Sequence, residues 1–165
     1  MKTKSAFIMA LLIGALILTA CASTTTVTPA SNTNSTTTEF AGAKINLNTA
    51  TSDQLLSTIP GFGSRMVREF QEYRPYDSIQ QFRQQIGKYV DHAQVAEYEK
   101  YIYVPIAINA SDSATLQQIP GLDSTEVDAL IAARPYASAD AFLTKLSTFV
   151  SADQLEKAKS YLGAN

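Results

Sequence analysis

Ile59-Pro60-Gly61-Phe62-Gly63-Ser64 and Arg74-Pro75-Tyr76 are echoed 60 positions later by Ile119-Pro120-Gly121 and Arg134-Pro135-Tyr136. Ser64, Val67, Ser78, Phe82, Val90, Gln94 and Tyr101 recur at 124, 127, 138, 142, 150, 154 and 161. Matches at so many fixed positions, with no gap, indicate a duplicated unit. Each unit is only ~60 residues, near the lower limit for an independent core. The two units are therefore expected to pack on each other.

Within a unit, the pattern is helices joined by tight turns. Thr51-x-x-Gln54 has capping-box form ahead of Leu55, Leu56 and Ile59. Pro60-Gly61-Phe62-Gly63 stops that helix. A second helix is predicted from Ser64 to about Tyr73, with Met66, Val67 and Phe70 on one side. Arg74-Pro75-Tyr76 breaks it, because a residue before proline avoids the helical region. Ser78-x-x-Gln81 caps a third helix carrying Ile79, Phe82 and Ile86, and Gly87 ends it. Asp91-x-x-Gln94 caps a fourth, with the stripe Val95, Tyr98 and Ile102. In the second unit Ser151-x-x-Gln154 stands ahead of Leu155, Ala158 and Leu162. Tyr101 to Ile106 could form a short strand, but a helix end plus linker is the preferred reading. The fold class is all-α.

Outward from this core, the N-terminal end has a different character. Lys2 and Lys4 precede Ala6–Ala20, a 15-residue apolar run that ends in Leu18-Thr19-Ala20-Cys21. The order is that of a secretory signal, and the run is shorter than the ~20 residues that span a bilayer. LTAC resembles the bacterial lipobox, which implies lipidation of Cys21 and a membrane-tethered protein facing the periplasm or exterior. Ala22 after the cysteine then suggests outer-membrane sorting in an organism with two membranes. An uncleaved anchor, ordinary cleavage at Ala20-Cys21-Ala22, and a buried core helix, which no other apolar run here could cover, are the alternatives. Cys21 is the only cysteine, so no intrachain disulfide can form. Ala22 to Thr38 is rich in Thr, Ser and Asn and carries no charge. Such a tract buries too little to offset its ordering entropy and is expected to be a disordered tether. The organisation is a signal peptide at 1–20, a tether at 21–43, unit one at 44–105 and unit two at 106–165.

Ile45-Asn46-Leu47-Asn48-Thr49-Ala50, followed by Leu55-Leu56 and Ile59-Pro60-Gly61-Phe62-Gly63, resembles the helix-hairpin-helix (SAM-like) domain of ComEA-type competence proteins. The resemblance covers unit one through Ser78-Ile79 and Phe82, and reaches unit two through the repeat. It implies two tandem helix-hairpin-helix units and sequence-independent contact with the phosphates of double-stranded DNA. Carried over by position, the contacts would be Gly61, Gly63 and Ser64, whose N–H groups point at an anion, with Arg65 and Arg68 behind them. Cations in the first turns of a helix oppose its dipole, and make better sense with an anion in front of them. Gly87-Lys88-Tyr89-Val90 resembles a decayed second hairpin, which adds Lys88. The alternative is that PGFG merely joins two helices and the arginines are solvated.

Unit two departs from the pattern. Gly63, Arg65, Met66 and Arg68 become Asp123, Thr125, Glu126 and Asp128. Acids there stabilise a helix N-terminus and would repel phosphate. Charge also limits the DNA reading. Without Lys2 and Lys4, 11 basic residues face 15 acidic ones, a net charge of −4. Residues 44–105 are balanced at seven and seven, and residues 106–165 carry −3. Non-specific affinity comes mainly from neutralised phosphates, so binding is expected to be weak, salt-sensitive and local to unit one. Catalysis has little support. His92 is the only histidine, beside a helix cap, and no nucleophile, metal or cofactor arrangement accompanies it. Tyr73, Tyr76, Tyr98, Tyr101 and Tyr103 read as core rims. The resulting expectation is a non-enzymatic DNA binder held at a membrane by lipid. The alternative is a structural or protein-interaction module, as in an extrinsic photosystem subunit of similar fold.

Overall fold

Every cap read from the sequence closes a helix end in the structure, a computed structural model that describes residues 42–163. The signal segment, Cys21 and the tether up to position 41 lie outside the described residues. The first repeat runs β1 (Ile45–Asn46), α1 (Ser52–Thr58), α2 (Ser64–Glu72), α3 (Ile79–Ile86), α4 (His92–Tyr98) and β2 (Ile102–Tyr103). The second runs α5 (Ser113–Leu116), α6 (Ser124–Ala132), α7 (Ala139–Leu146) and α8 (Ala152–Lys159). The fold is all-α apart from short parallel pairings.

Thr51 and Gln54 form a reciprocal capping box, as do Asp123 with Glu126 and Ser151 with Gln154. Ser78 and Asp91 each accept from the N–H three residues on. These caps satisfy N–H groups that the first helical turn leaves without partners. The helices themselves have four to nine residues, too short to be stable alone, so packing holds them. Phe70 anchors the first core. Its ring meets Phe62 at 4.7 Å, Phe82 at 5.1 Å and Tyr98 at 5.4 Å, all edge-on, the arrangement that aromatic quadrupoles favour.

The preferred reading of Tyr101 to Ile106 as helix end plus linker is corrected. α4 stops at Tyr98, so Ile102 does not lie on its stripe. Ile102–Tyr103 is instead a strand paired in parallel with Ile45–Asn46. Ile106 bridges Leu162 in the same way in the second repeat. Extended backbone at each repeat's entry needs hydrogen-bond partners, and each repeat's own last residues supply them.

The repeat is also not free of gaps upstream of the hairpins. Asn48 grips the Tyr76 backbone, with Nδ2 donating to its carbonyl at 2.9 Å and Oδ1 accepting from its N–H at 2.8 Å. Asn109 does the same to Tyr136 at the same distances. Asn48 and Asn109 are 61 apart, whereas Tyr76 and Tyr136 are 60 apart. The second repeat has lost one residue between this asparagine and its hairpin. Buried Leu55 accordingly corresponds to buried Leu116, and INLNTA to Ile106-Ala107-Ile108-Asn109-Ala110-Ser111.

Two buried clusters result, one spanning Leu47–Val104 and one spanning Ile106–Tyr161. They meet where α3 packs on α5. There the fully buried Thr115 hydroxyl accepts from the Ile79 N–H at 3.0 Å.

Candidate nucleic-acid interface

The hairpin between α1 and α2 is built on Phe62. Its ring is buried between Phe70 and Tyr98, which turns the flanking Gly61 and Gly63 outward. Gly61 has φ +68°, a conformation that side chains disfavour. Gly63 has φ −105° and is the N-cap of α2, with no side chain to cap it. A Cβ at either glycine would meet nothing within 4 Å, so neither is glycine for want of space. The N–H groups of Gly61, Gly63, Ser64, Arg65 and Met66 have no acceptor among the described residues. Open donors at a helix N-terminus attract anions.

Sequence reasoning placed Gly61, Gly63, Ser64, Arg65 and Arg68 together, and the structure has all five exposed around this turn. The Arg68 side chain is 70% exposed, with one nitrogen 3.2 Å from Glu69. Lys88 lies apart from the hairpin. It stands in the turn between α3 and α4, with Nζ 5.2 Å from the Tyr73 ring centre, at the far end of α2. Glu69 was not recognised from the sequence. It is only 5% exposed although it sits between exposed Arg68 and the core. The neighbouring Tyr89 hydroxyl holds its carboxyl below the ordinary carboxylate range, burial opposes this, and Arg68 adds to the lowering.

Beside the hairpin an open groove of about 580 Å³ runs between α1 and α2, lined by Ser52, Leu56, Ser64, Arg68 and Gln71 among others. Gln71 bridges its floor to Ser52. Leu56, 43% exposed, is the exposed large hydrophobic residue among those described.

The second hairpin is built differently. Leu122, in the place of Phe62, is half-buried. Gly121 keeps a positive φ of +90°, but its open side is taken by Gln154, whose amide nitrogen would lie 2.2 Å from an added Cβ. Asp123 caps α6, accepting from Glu126 N–H at 2.8 Å, and the Glu126 carboxylate accepts from Asp123 N–H at 2.9 Å. Two of the donors that stay open in the first hairpin are thus filled from within the chain.

No protein-family model, curated protein or solved structure matches this chain. What bears on function is the contrast between its own two hairpins. The remaining chemistry-bearing residues add little. His92 is exposed at the start of α4. Tyr76, Tyr98, Tyr136 and Tyr161 are buried core residues. No group of acids, His or Cys among the described residues could hold a metal ion, and no described helix is long and apolar enough to cross a membrane.

Proposed function

We propose that this protein binds double-stranded DNA weakly and without reading sequence, through the hairpin Gly61–Arg68. The carrying observation is the uncapped N-terminus of α2: five free N–H groups and two exposed arginines surround a turn whose glycines face open space. A structural turn gains from a capping side chain, and the second repeat has one. The first repeat leaves these donors free, which suits a backbone phosphate. We further infer that the chain is a non-enzymatic helix-hairpin-helix protein, with a lipid on Cys21 holding it at the membrane, outside the cytoplasm. The test of binding is a gel-shift series on duplex DNA of mixed sequence, at two salt concentrations. The expected result is binding at ~20 mM salt, where screening is weak, that is lost near physiological salt. Absence of binding at low salt removes this reading. The second reading is a protein-interaction module, and the exposed Leu56 in the groove beside the hairpin favours it. Under that reading Leu56→Ser weakens partner capture, while duplex DNA has no effect.

A further inference from the structure

We propose that Gln94 is a further DNA-contacting residue of the first hairpin, its side-chain amide donating to a phosphate oxygen that the open turn at Gly61 admits. The inference rests on the DNA reading above. α4 stands directly behind that turn: the Tyr98 ring meets Phe62 edge-on, with centres 5.3 Å apart. Gln94 lies four residues before Tyr98, on the same side of α4, and is half-buried.

The second repeat shows how far a glutamine reaches from this place. Gln154 follows Gln94 by 60 positions, as Gly121 follows Gly61. Its amide lies across the outer side of the second turn, with Nε2 2.2 Å from where a Gly121 Cβ would stand. Its Oε1 accepts from the Ser151 N–H at 2.8 Å, which completes a capping box and holds the side chain there. Gln94 is not held in this way. Asp91 accepts from the Gln94 backbone N–H at 2.8 Å, but the reciprocal bond is not made. The Gln94 amide has no hydrogen-bond partner among the described residues. A Cβ at Gly61 meets nothing within 4 Å, Gln94 included. The same side chain thus covers one turn and stands clear of the other, with both of its N–H donors unused. A half-buried amide without a partner forgoes a hydrogen bond, and a phosphate oxygen in the open turn supplies it. A neutral amide also suits binding that reads no sequence, since phosphate contacts carry no sequence information.

The test is a gel-shift titration of the full chain on duplex DNA, at ~20 mM salt and at a second, higher concentration, with Gln94→Met, Gln94→Glu and Gln154→Glu. Met keeps the length of Gln and adds no charge, so only the donor is lost. Gln94→Met should weaken binding about 3–10-fold, the worth of one hydrogen bond. It should leave the salt slope unchanged, because a neutral donor neutralises no phosphate. Gln94→Glu should weaken binding more than Gln154→Glu, which makes the same change of charge in the second repeat. Asp-x-x-Glu already closes a capping box at Asp123 and Glu126, so Gln94→Glu keeps α4 folded. Urea denaturation checks that neither Gln94 variant loses binding by unfolding. If Gln94→Met is destabilised, the comparison of the two Glu variants decides alone. Wild-type affinity in Gln94→Met, or an equal loss from the two Glu variants, overturns the role of Gln94 and leaves the DNA reading standing. No binding by the wild-type chain overturns the DNA reading, and this inference with it.

Discussion

Arg134 donates from Nε to the Ile108 carbonyl at 2.9 Å and from Nη2 to the Ser111 carbonyl at 2.7 Å. Its repeat partner Arg74 has Nε and Nη2 buried with no acceptor among the described residues, and burial pushes its pKa down. The same Arg-Pro-Tyr string therefore has opposite energetic standing in the two repeats. Arg134→Met should lower stability by about 1–3 kcal/mol, because two carbonyls lose their donor. Arg74→Met should be close to neutral or stabilising, since it removes a poorly compensated buried charge. Urea denaturation of both variants checks this, and an equal loss from each would contradict it. Gly63 invites a second comparison. Its backbone is compatible with any side chain and its surroundings are open. Gly63→Asp, which copies Asp123, should raise stability by a few tenths of a kcal/mol through capping while weakening DNA binding. A variant that is more stable and binds equally well would separate the free donors from function.

At the scale of elements, the joint between α3 and α5 depends on one hydroxyl. Thr115 is fully buried, as is the Ile79 N–H that it caps. Thr115→Val keeps the shape and leaves that N–H unsatisfied, so a loss of about 1–3 kcal/mol is expected, read by chemical denaturation. A loss within about half a kcal/mol, as for an ordinary surface change, would show that the joint does not matter. The helices and their caps were legible because a cap is a local signal, three residues wide. Thr51, Asp91 and Ser151 each stand three positions before a glutamine. The strand pairing was not legible. Two residues carry no period, and Ile45 finds Ile102 far along the chain. The Asn48 clamp on Tyr76 was hidden for the same reason. A uniform offset of 60 also concealed the counterpart of INLNTA, because one deleted residue moves that register to 61. At the hairpin the glycines and arginines could be read directly. Glu69 could not, since its burial comes from the packing of the folded repeat and not from its neighbours in sequence.

At the scale of the molecule, two cores share a seam. Tyr103, from the first repeat's last strand, packs on the second core, its ring tilted against Tyr161 with centres 4.7 Å apart. Ala114 packs on the first core, and Gln118 exchanges two hydrogen bonds with the Val104 backbone. Repeats of ~60 residues gain much from such a seam. One cooperative thermal transition is expected, and Thr115→Val should lower it without splitting it. Two separated transitions would show independent domains.

The seam joins two hairpins of opposite charge, and the central claim is that only the first meets DNA. The most direct measurement is a gel-shift titration on duplex DNA at ~20 mM salt with both hairpins altered in turn. The account predicts that Arg65→Glu with Arg68→Glu abolishes binding, and that Thr125→Arg with Asp128→Arg strengthens it. Both pairs should leave stability within about half a kcal/mol of wild type, as for most surface changes. Unchanged binding in the first pair, or no binding by the wild-type chain, would contradict it.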